Sequence, residues 1–223
     1  MSAPEFEFRA SCAAGRSASL YAVAGKRLFD VVAVVLMAPV AVPVVALAAL
    51  AVAAGGGRPF YAQDRVGRGG RPFRCLKLRT MVPDAERRLS LLLAQDPALA
   101  LEWERKQKLD RDPRVTTVGA FLRRTSLDEL PQLWNVLRGH MSLVGPRPIL
   151  PEQSDLYRRN FRSEAYYRMR PGITGPWQVG RRNGGGFSDR AAFDSDYHAR
   201  IGIGTDLAIL VRTVGAVLRA TGQ

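Results

Sequence analysis

The stretch Val31-Val32-Ala33-Val34-Val35-Leu36-Met37-Ala38-Pro39-Val40-Ala41-Val42-Pro43-Val44-Val45-Ala46-Leu47-Ala48-Ala49-Leu50-Ala51-Val52-Ala53-Ala54 contains no charged residue. As a helix rising about 1.5 Å per residue, it is long enough to cross the hydrocarbon layer of a bilayer. A cleavable signal peptide fits poorly, because the run starts late and ends in Gly55-Gly56-Gly57-Arg58 rather than a small-x-small site. Lys26 and Arg27 precede the run, and Arg58, Arg65, Arg68, Arg71 and Arg74 follow it. Basic residues favour the cytoplasmic side, so both ends are expected there. A straight span does not satisfy that, whereas a helix that enters, bends and returns does. Pro39, with Pro43 four residues on, supplies the bend, because proline removes a backbone donor and kinks a helix. The alternatives are a true span and a helix buried in a soluble core. Asp30, at the inner edge, is expected to cap the helix start.

The chain has 223 residues, of which 47% are hydrophobic and 24% charged, a composition that folds rather than stays disordered. A net charge of +13 favours anionic partners: nucleic acid, anionic lipid or phosphorylated substrates. Cys12 and Cys75 form no framework, and His140 and His198 show no ligand spacing, which argues against disulfide and zinc chemistry.

Outward from the apolar run, residues 1–25 read as a mobile tail. Phe60 to Thr80 alternates around Gly67, Gly69 and Gly70, which predicts a hairpin. Gly67-Arg68-Gly69-Gly70 lacks the ending of a P-loop. Asp84 to Lys108 reads as helix broken near Asp96-Pro97; its charged second half around Trp103 is either a solvated face or a membrane-surface helix. Asp206 opens a last helix whose stripe of Leu207, Leu210, Val211, Val214 and Leu218 suits a core or a membrane surface. Pro171-Gly172-Ile173-Thr174-Gly175-Pro176-Trp177-Gln178 reads as a loop, with Trp177 either available to stack a base or part of an ordinary connector.

Chemistry concentrates in Ser126-Leu127-Asp128-Glu129-Leu130-Pro131-Gln132-Leu133-Trp134-Asn135-Val136-Leu137-Arg138-Gly139. One reading is a helix start. Ser126 is then the N-cap, Glu129 its capping-box partner, Leu127, Leu130, Leu133, Trp134 and Leu137 the buried face, and Gly139 the stop. Pro131 biases Leu130 away from helical angles and moves the start toward itself. The other reading is catalytic: Asp128 and Glu129 approach one cation, with Mg2+ keeping both ionised and bridging to a diphosphate. Lys77, Arg79, Arg123, Arg147 and Arg181-Arg182 supply cations for phosphate oxygens, arginine as a planar bidentate donor.

These segments together, with Lys26-Arg27-Leu28-Phe29-Asp30, Leu76-Lys77-Leu78-Arg79-Thr80-Met81, Asp112-Pro113-Arg114-Val115-Thr116, Met141-Ser142-Leu143-Val144-Gly145-Pro146-Arg147-Pro148 and Arg170-Pro171-Gly172-Ile173-Thr174-Gly175, resemble the bacterial sugar transferases, the monotopic polyprenyl-phosphate phosphoglycosyl transferases. The resemblance runs from about Lys26 to the C-terminus and is nearest the exopolysaccharide-initiating members. It implies an α+β, predominantly helical fold: a re-entrant membrane helix over 26–57, and a catalytic domain over 58–223 on the cytoplasmic face of the bacterial inner membrane, with amphipathic interfacial helices. It implies transfer of galactose or glucose 1-phosphate from a UDP-sugar to undecaprenyl phosphate with release of UMP. Asp128 matches the family's nucleophile and Glu129 its dyad partner, with Mg2+ at the pair. Lys77, Arg123, Arg147 and Arg182 match positions that hold phosphate or the dyad. Membrane lipid and downstream glycosyltransferases are the implied partners, and nucleic acid is not one. Two departures stand out: Ala38-Pro39 where the family often has Ser-Pro, and Gly180-Arg181 where it usually has Asn- or Ser-Gly. The rival readings are a non-catalytic basic membrane-anchored protein that binds lipid or nucleic acid, and a glycosyltransferase that releases UDP.

Overall fold

The computed structural model describes residues 20–106, 109, 111–159, 163–180 and 189–218. The apolar run forms helix α1 (Lys26–Ala54), which stays helical through Pro39 and Pro43. Of the tail expected over 1–25, residues 1–19 lie outside the described residues, and Tyr21–Gly25 is instead a π-helical turn leading into α1. The combined helix is long and apolar enough to cross a membrane. Its outward face, including Leu36, Val40 and Val42, is exposed.

Asp30 does not cap this helix, because the helix has already begun before it. Its Oδ1 accepts from the Ser142 hydroxyl (3.0 Å) and the Leu143 amide (3.0 Å), and so holds strand β3 (Ser142–Val144). Lys26 and Arg27 are likewise structural anchors. Lys26 Nζ lies 2.6 Å from buried Asp206, which also accepts from Tyr21 (2.7 Å) and Tyr197 (2.5 Å). Arg27 donates to the carbonyls of Val136 and Leu137, satisfying the end of helix α5 (Gln132–Leu137).

The expected hairpin is present. Strands β1 (Phe60–Val66) and β2 (Pro72–Leu78) pair antiparallel from Phe60↔Leu78 to Val66↔Pro72. Gly69 and Gly70 in its turn have φ 69° and 77°, values that glycine adopts without steric cost. Helices α2 (Ala85–Gln95) and α3 (Pro97–Lys106) break at Asp96, whose Oδ1 accepts from the amide of Ala98 at 2.8 Å. Trp103 on α3 lies under the Arg114 guanidinium, 5.6 Å from ring centroid to Cζ. Helix α4 (Thr117–Thr125) is capped by Thr116, which accepts from Gly119 N at 2.9 Å.

Strand β3 pairs parallel with β4 (Gly172–Thr174). Gly145 and Gly172 bring the flanking segments backbone to backbone: a Cβ on Gly172 would sit 2.1 Å from Gly145 N. The loop expected over 171–178 is therefore half strand, and from Pro176 it becomes helix α8 (Pro176–Gly180). Trp177 packs edge-on against Phe193, with centroids 5.4 Å apart, rather than standing open to a base. Helices α6 (Ser154–Arg158), α7 (Glu164–Arg168), α9 (Asp189–Ala199) and α10 (Ile203–Leu218) complete the described chain. α10 starts three residues before Asp206, and buries Asp206 and Ile209 while Leu207, Val211 and Val214 face out.

The core lies between the hairpin, β3 and the ends of α1. One cluster joins Val34 to Phe73, Cys75, Val136, Met141 and Leu143, and a second joins Ala48, Ala49 and Val52 to Leu78 and Leu122. The two clusters each include residues of β2, Phe73 and Cys75 in the first and Leu78 in the second. The architecture is helical with two small sheets, an α+β fold as the sequence implies.

Candidate active site

Residues 126–139 do not form the capped helix that local pattern suggests. Ser126 sits at φ 58° with no side-chain cap bond, and its amide closes the end of α4 on Arg123 O at 3.1 Å. Leu127–Glu129 is a 3-10 turn and α5 begins only after Pro131, yet Leu130 keeps helical angles (φ −56°, ψ −35°) against the bias expected from the proline. Gly139 ends it at φ 77°. α5 buries Gln132 and Asn135 together with Val136, and Trp134, expected on the buried face, is exposed with Arg138 over its ring. Asn135 Oδ1 accepts from Leu76 N (2.9 Å) and its Nδ2 donates to Arg74 O (2.7 Å), so its amide occupies the open edge of β2.

That stitch sets the acidic turn against β2. Lys77 Nζ lies 2.8 Å from Glu129 Oε1, and an Arg147 terminal nitrogen lies 3.7 Å from the same oxygen. Burial alone would raise the Glu129 carboxyl, yet Lys77 and then Arg147 overcome it and hold the pKa down at about 2. Asp128 is 9% exposed, and burial pushes its carboxyl above the usual range against the pull of Lys77 and Arg123. Arg123 comes from α4, its Nε donating to Thr80 Oγ1 at 2.9 Å. The end of β2 is fixed there by the Thr116 amide, which donates to Thr80 O at 3.0 Å, and by Gly119, where a Cβ would meet that oxygen at 2.0 Å. Arg147 follows β3, with its carbonyl accepting from Arg190 at 2.7 Å.

Asp128, Glu129, Lys77, Arg123 and Arg147 therefore converge from four elements. Arg182 lies outside the described residues. Arg79 belongs to the same strand end, its amide donating to Pro59 O at 2.8 Å. Sequence reading missed Arg65, which lines a shallow cleft with Cys75, Lys77, Glu129, Gln132 and Arg147. The hairpin's period of two held the signal, because it sets Arg65 and Gln63 on the face of Cys75 and Lys77.

Among the described residues, no three His, Cys, Asp or Glu side chains are grouped to hold a metal. The donor set still fits Mg2+, which takes one or two carboxylates and completes its shell with water and substrate phosphates. Asp128 closes no direct ion pair among the described residues, whereas Glu129 is engaged by Lys77, so Asp128 is the better ligand of the two. Chemically, the arrangement offers one desolvated carboxylate beside cations suited to phosphoryl oxygens.

Residues 21–220 match the model of the family described as bacterial sugar transferase. A UDP-galactose-lipid carrier transferase of Erwinia amylovora is 44% identical over 197 residues, covering 88% of this chain and 41% of that protein. The undecaprenyl-phosphate galactose phosphotransferase of Salmonella typhimurium is 45% identical with the same coverage. An exopolysaccharide production protein, ExoY, of Sinorhizobium fredii is 42% identical over 202 residues, covering 89% of this chain and 87% of that protein. The chain thus spans 41% of the length of the first two relatives and most of the third. A match that runs from the turn before the apolar helix into the end of α10, and takes in every described residue of the acidic turn and its cations, makes this chain a member of the bacterial sugar transferase family.

Proposed function

We propose that the protein transfers a sugar 1-phosphate, galactose or glucose, from a UDP-sugar to undecaprenyl phosphate, and thereby initiates an exopolysaccharide or other surface glycan. The observation that carries this reading is a buried Asp128 next to a Glu129 held by Lys77 and Arg147, with Arg123 alongside. The relatives' names, a UDP-galactose-lipid carrier transferase and an undecaprenyl-phosphate galactose phosphotransferase, support the substrate classes.

In the first half-reaction an Asp128 carboxylate oxygen attacks the sugar-side phosphorus. A P–O bond forms, the diphosphate P–O bond breaks, and UMP leaves with the bonding pair. In the second, a phosphate oxygen of the lipid attacks the same phosphorus and expels the Asp128 carboxylate. Desolvation raises the basicity of that carboxylate, and its cations neutralise charge on the phosphoryl oxygens. Glu129, pinned by Lys77, orients the cations Lys77 and Arg147 toward the substrate. Asp128, with Glu129 beside it, would hold Mg2+, which would supply Lewis-acid neutralisation of the diphosphate.

The membrane placement is part of the same proposal: α1 re-entrant at Pro39, the catalytic domain over 58–223 on the cytoplasmic face, and α10 lying on the lipid surface. Support comes from the basic residues on both flanks of the apolar run, Lys26 and Arg27 before it and Arg58, Arg68 and Arg71 after it. The outward stripe of Leu207, Val211 and Val214 supports the position of α10.

The test is UMP release from a panel of UDP-sugars with undecaprenyl phosphate and protein in detergent. UMP with UDP-galactose or UDP-glucose is expected, together with its loss on chelation of divalent cations and in Asp128→Asn. Release of UDP overturns the reaction, and undiminished turnover in Asp128→Asn overturns the nucleophile.

A further inference from the structure

The dyad is flanked by a cation that the motifs do not single out. Arg65 lies on β1, one strand over from Lys77 and on the same face of the hairpin. One terminal nitrogen donates to Pro148 O at 3.1 Å and the other to Gln63 Oε1 at 2.7 Å, while its Nε is buried and has no partner among the described residues. Burial lowers its pKa from the ordinary arginine value, so the fold keeps a guanidinium there against a desolvation cost. Arg65, Lys77 and Arg147 share the cleft wall with a single carboxylate, Glu129. Three positive charges against one negative leave that wall at +2 from these four groups. A phosphate monoester carries about −1.5 to −2 at neutral pH. Asp128 is not part of the wall.

We infer that Arg65, with Lys77 and Arg147, forms a subsite for a phosphate monoester dianion. The inference rests on the reaction proposed above and deepens it. In an in-line displacement, the departing group and the later incoming group both stand opposite the carboxylate oxygen bonded to phosphorus. The departing group is a nucleoside monophosphate and the incoming one is a lipid phosphate, both phosphate monoesters, so one subsite serves each in turn. The purely architectural alternative is that Arg65 only staples the Pro148 loop to β1. That role uses two of its terminal N–H bonds and gives no reason for a third cation beside Lys77 and Arg147 over a single carboxylate.

Equilibrium binding to the full chain in detergent tests the subsite without requiring turnover. Arg65→Gln keeps a hydrogen-bonding side chain and removes the charge. Its Kd for UMP and its Kd for a short-chain polyprenyl phosphate are each expected to rise roughly tenfold to hundredfold, the range for losing a charge-assisted bond. Arg65→Lys should recover part of this. Gln63→Ala, which removes one staple and keeps the charge, should leave both constants within about twofold, while a melting curve reports folding of every variant. A rise for one ligand alone keeps the subsite, assigned to the nucleotide phosphate or to the acceptor, and overturns its sharing by both. Unchanged constants in folded Arg65→Gln, or equal losses in Gln63→Ala, overturn it. Absence of UMP release by the unaltered protein would count against the reaction and leave the binding result to stand or fall by itself.

Discussion

Ser126 takes a left-handed backbone immediately before the acidic turn. For a residue with a Cβ this conformation costs about 1–2 kcal/mol, and it lets α4 end and the 3-10 turn begin without a connecting loop. Ser126→Val, β-branched at that φ, is expected to destabilise the protein by about 1–3 kcal/mol, whereas Ser126→Gly should leave stability unchanged or slightly higher. Denaturation midpoints of the two variants in one detergent check this. The same position shows what sequence conceals. Ser126 with Glu129 three residues on has the pattern of a capping box, yet Glu129 finds its partner in Lys77, 52 residues away. Likewise Gln132 and Asn135 are polar and buried because the hairpin edge lies over them, and no window around residue 132 contains that edge. What short-range chemistry decides was legible: the hairpin from its glycines, the break at Asp96-Pro97 and the stop at Gly139. The carboxylate pair and its cations were legible as residue types, and their convergence needed the fold.

At the scale of elements, α1 is the least ordinary part, an apolar helix whose base is fixed by three charged side chains. Asp30 is buried and satisfies the Leu143 amide and the Ser142 hydroxyl. Asp30→Ala leaves that amide without its partner and should cost about 1–3 kcal/mol, read as a lower melting temperature and faster proteolysis of the domain. Asp30→Asn, which retains an acceptor, should lose less. For the path of α1 through the membrane, single cysteines placed at Gly25 and at Gly57 in a Cys12→Ser, Cys75→Ser background are informative. Both are expected to react with a membrane-impermeant maleimide from the same side of sealed inverted vesicles. Labelling from opposite sides would make the helix a full span. Basic flanks disclosed the orientation problem in the sequence. The anchoring role of Lys26 was hidden, because its partners Asp206 and Tyr197 are some 170 residues or more away.

For the whole molecule, buried charge sets how stability varies with pH. Asp194 on α9 is almost fully buried against Tyr157, which donates to it, with Arg190 and Tyr166 close by. Burial raises its carboxyl from 3.8 to about 6. The folded form thus holds a proton that the unfolded form has released between these values. Stability from this group is complete below the lower value and declines as pH rises through the upper one. Asp194→Asn is expected to flatten that part of the profile, measured as denaturation midpoints at pH steps from 4 to 7. An unchanged slope would remove Asp194 as its source.

The backbone contact between Gly145 and Gly172, joined by Gly175 whose Cβ would fall 2.0 Å from Gly145 O, has a consequence for genetics. Any side chain there forces two loops apart, and one of them leads straight into Arg147. A saturation screen for lost function would score these glycines as severely as the acidic pair. None of the three would thereby be shown to meet substrate; their intolerance would report the width available between two chains.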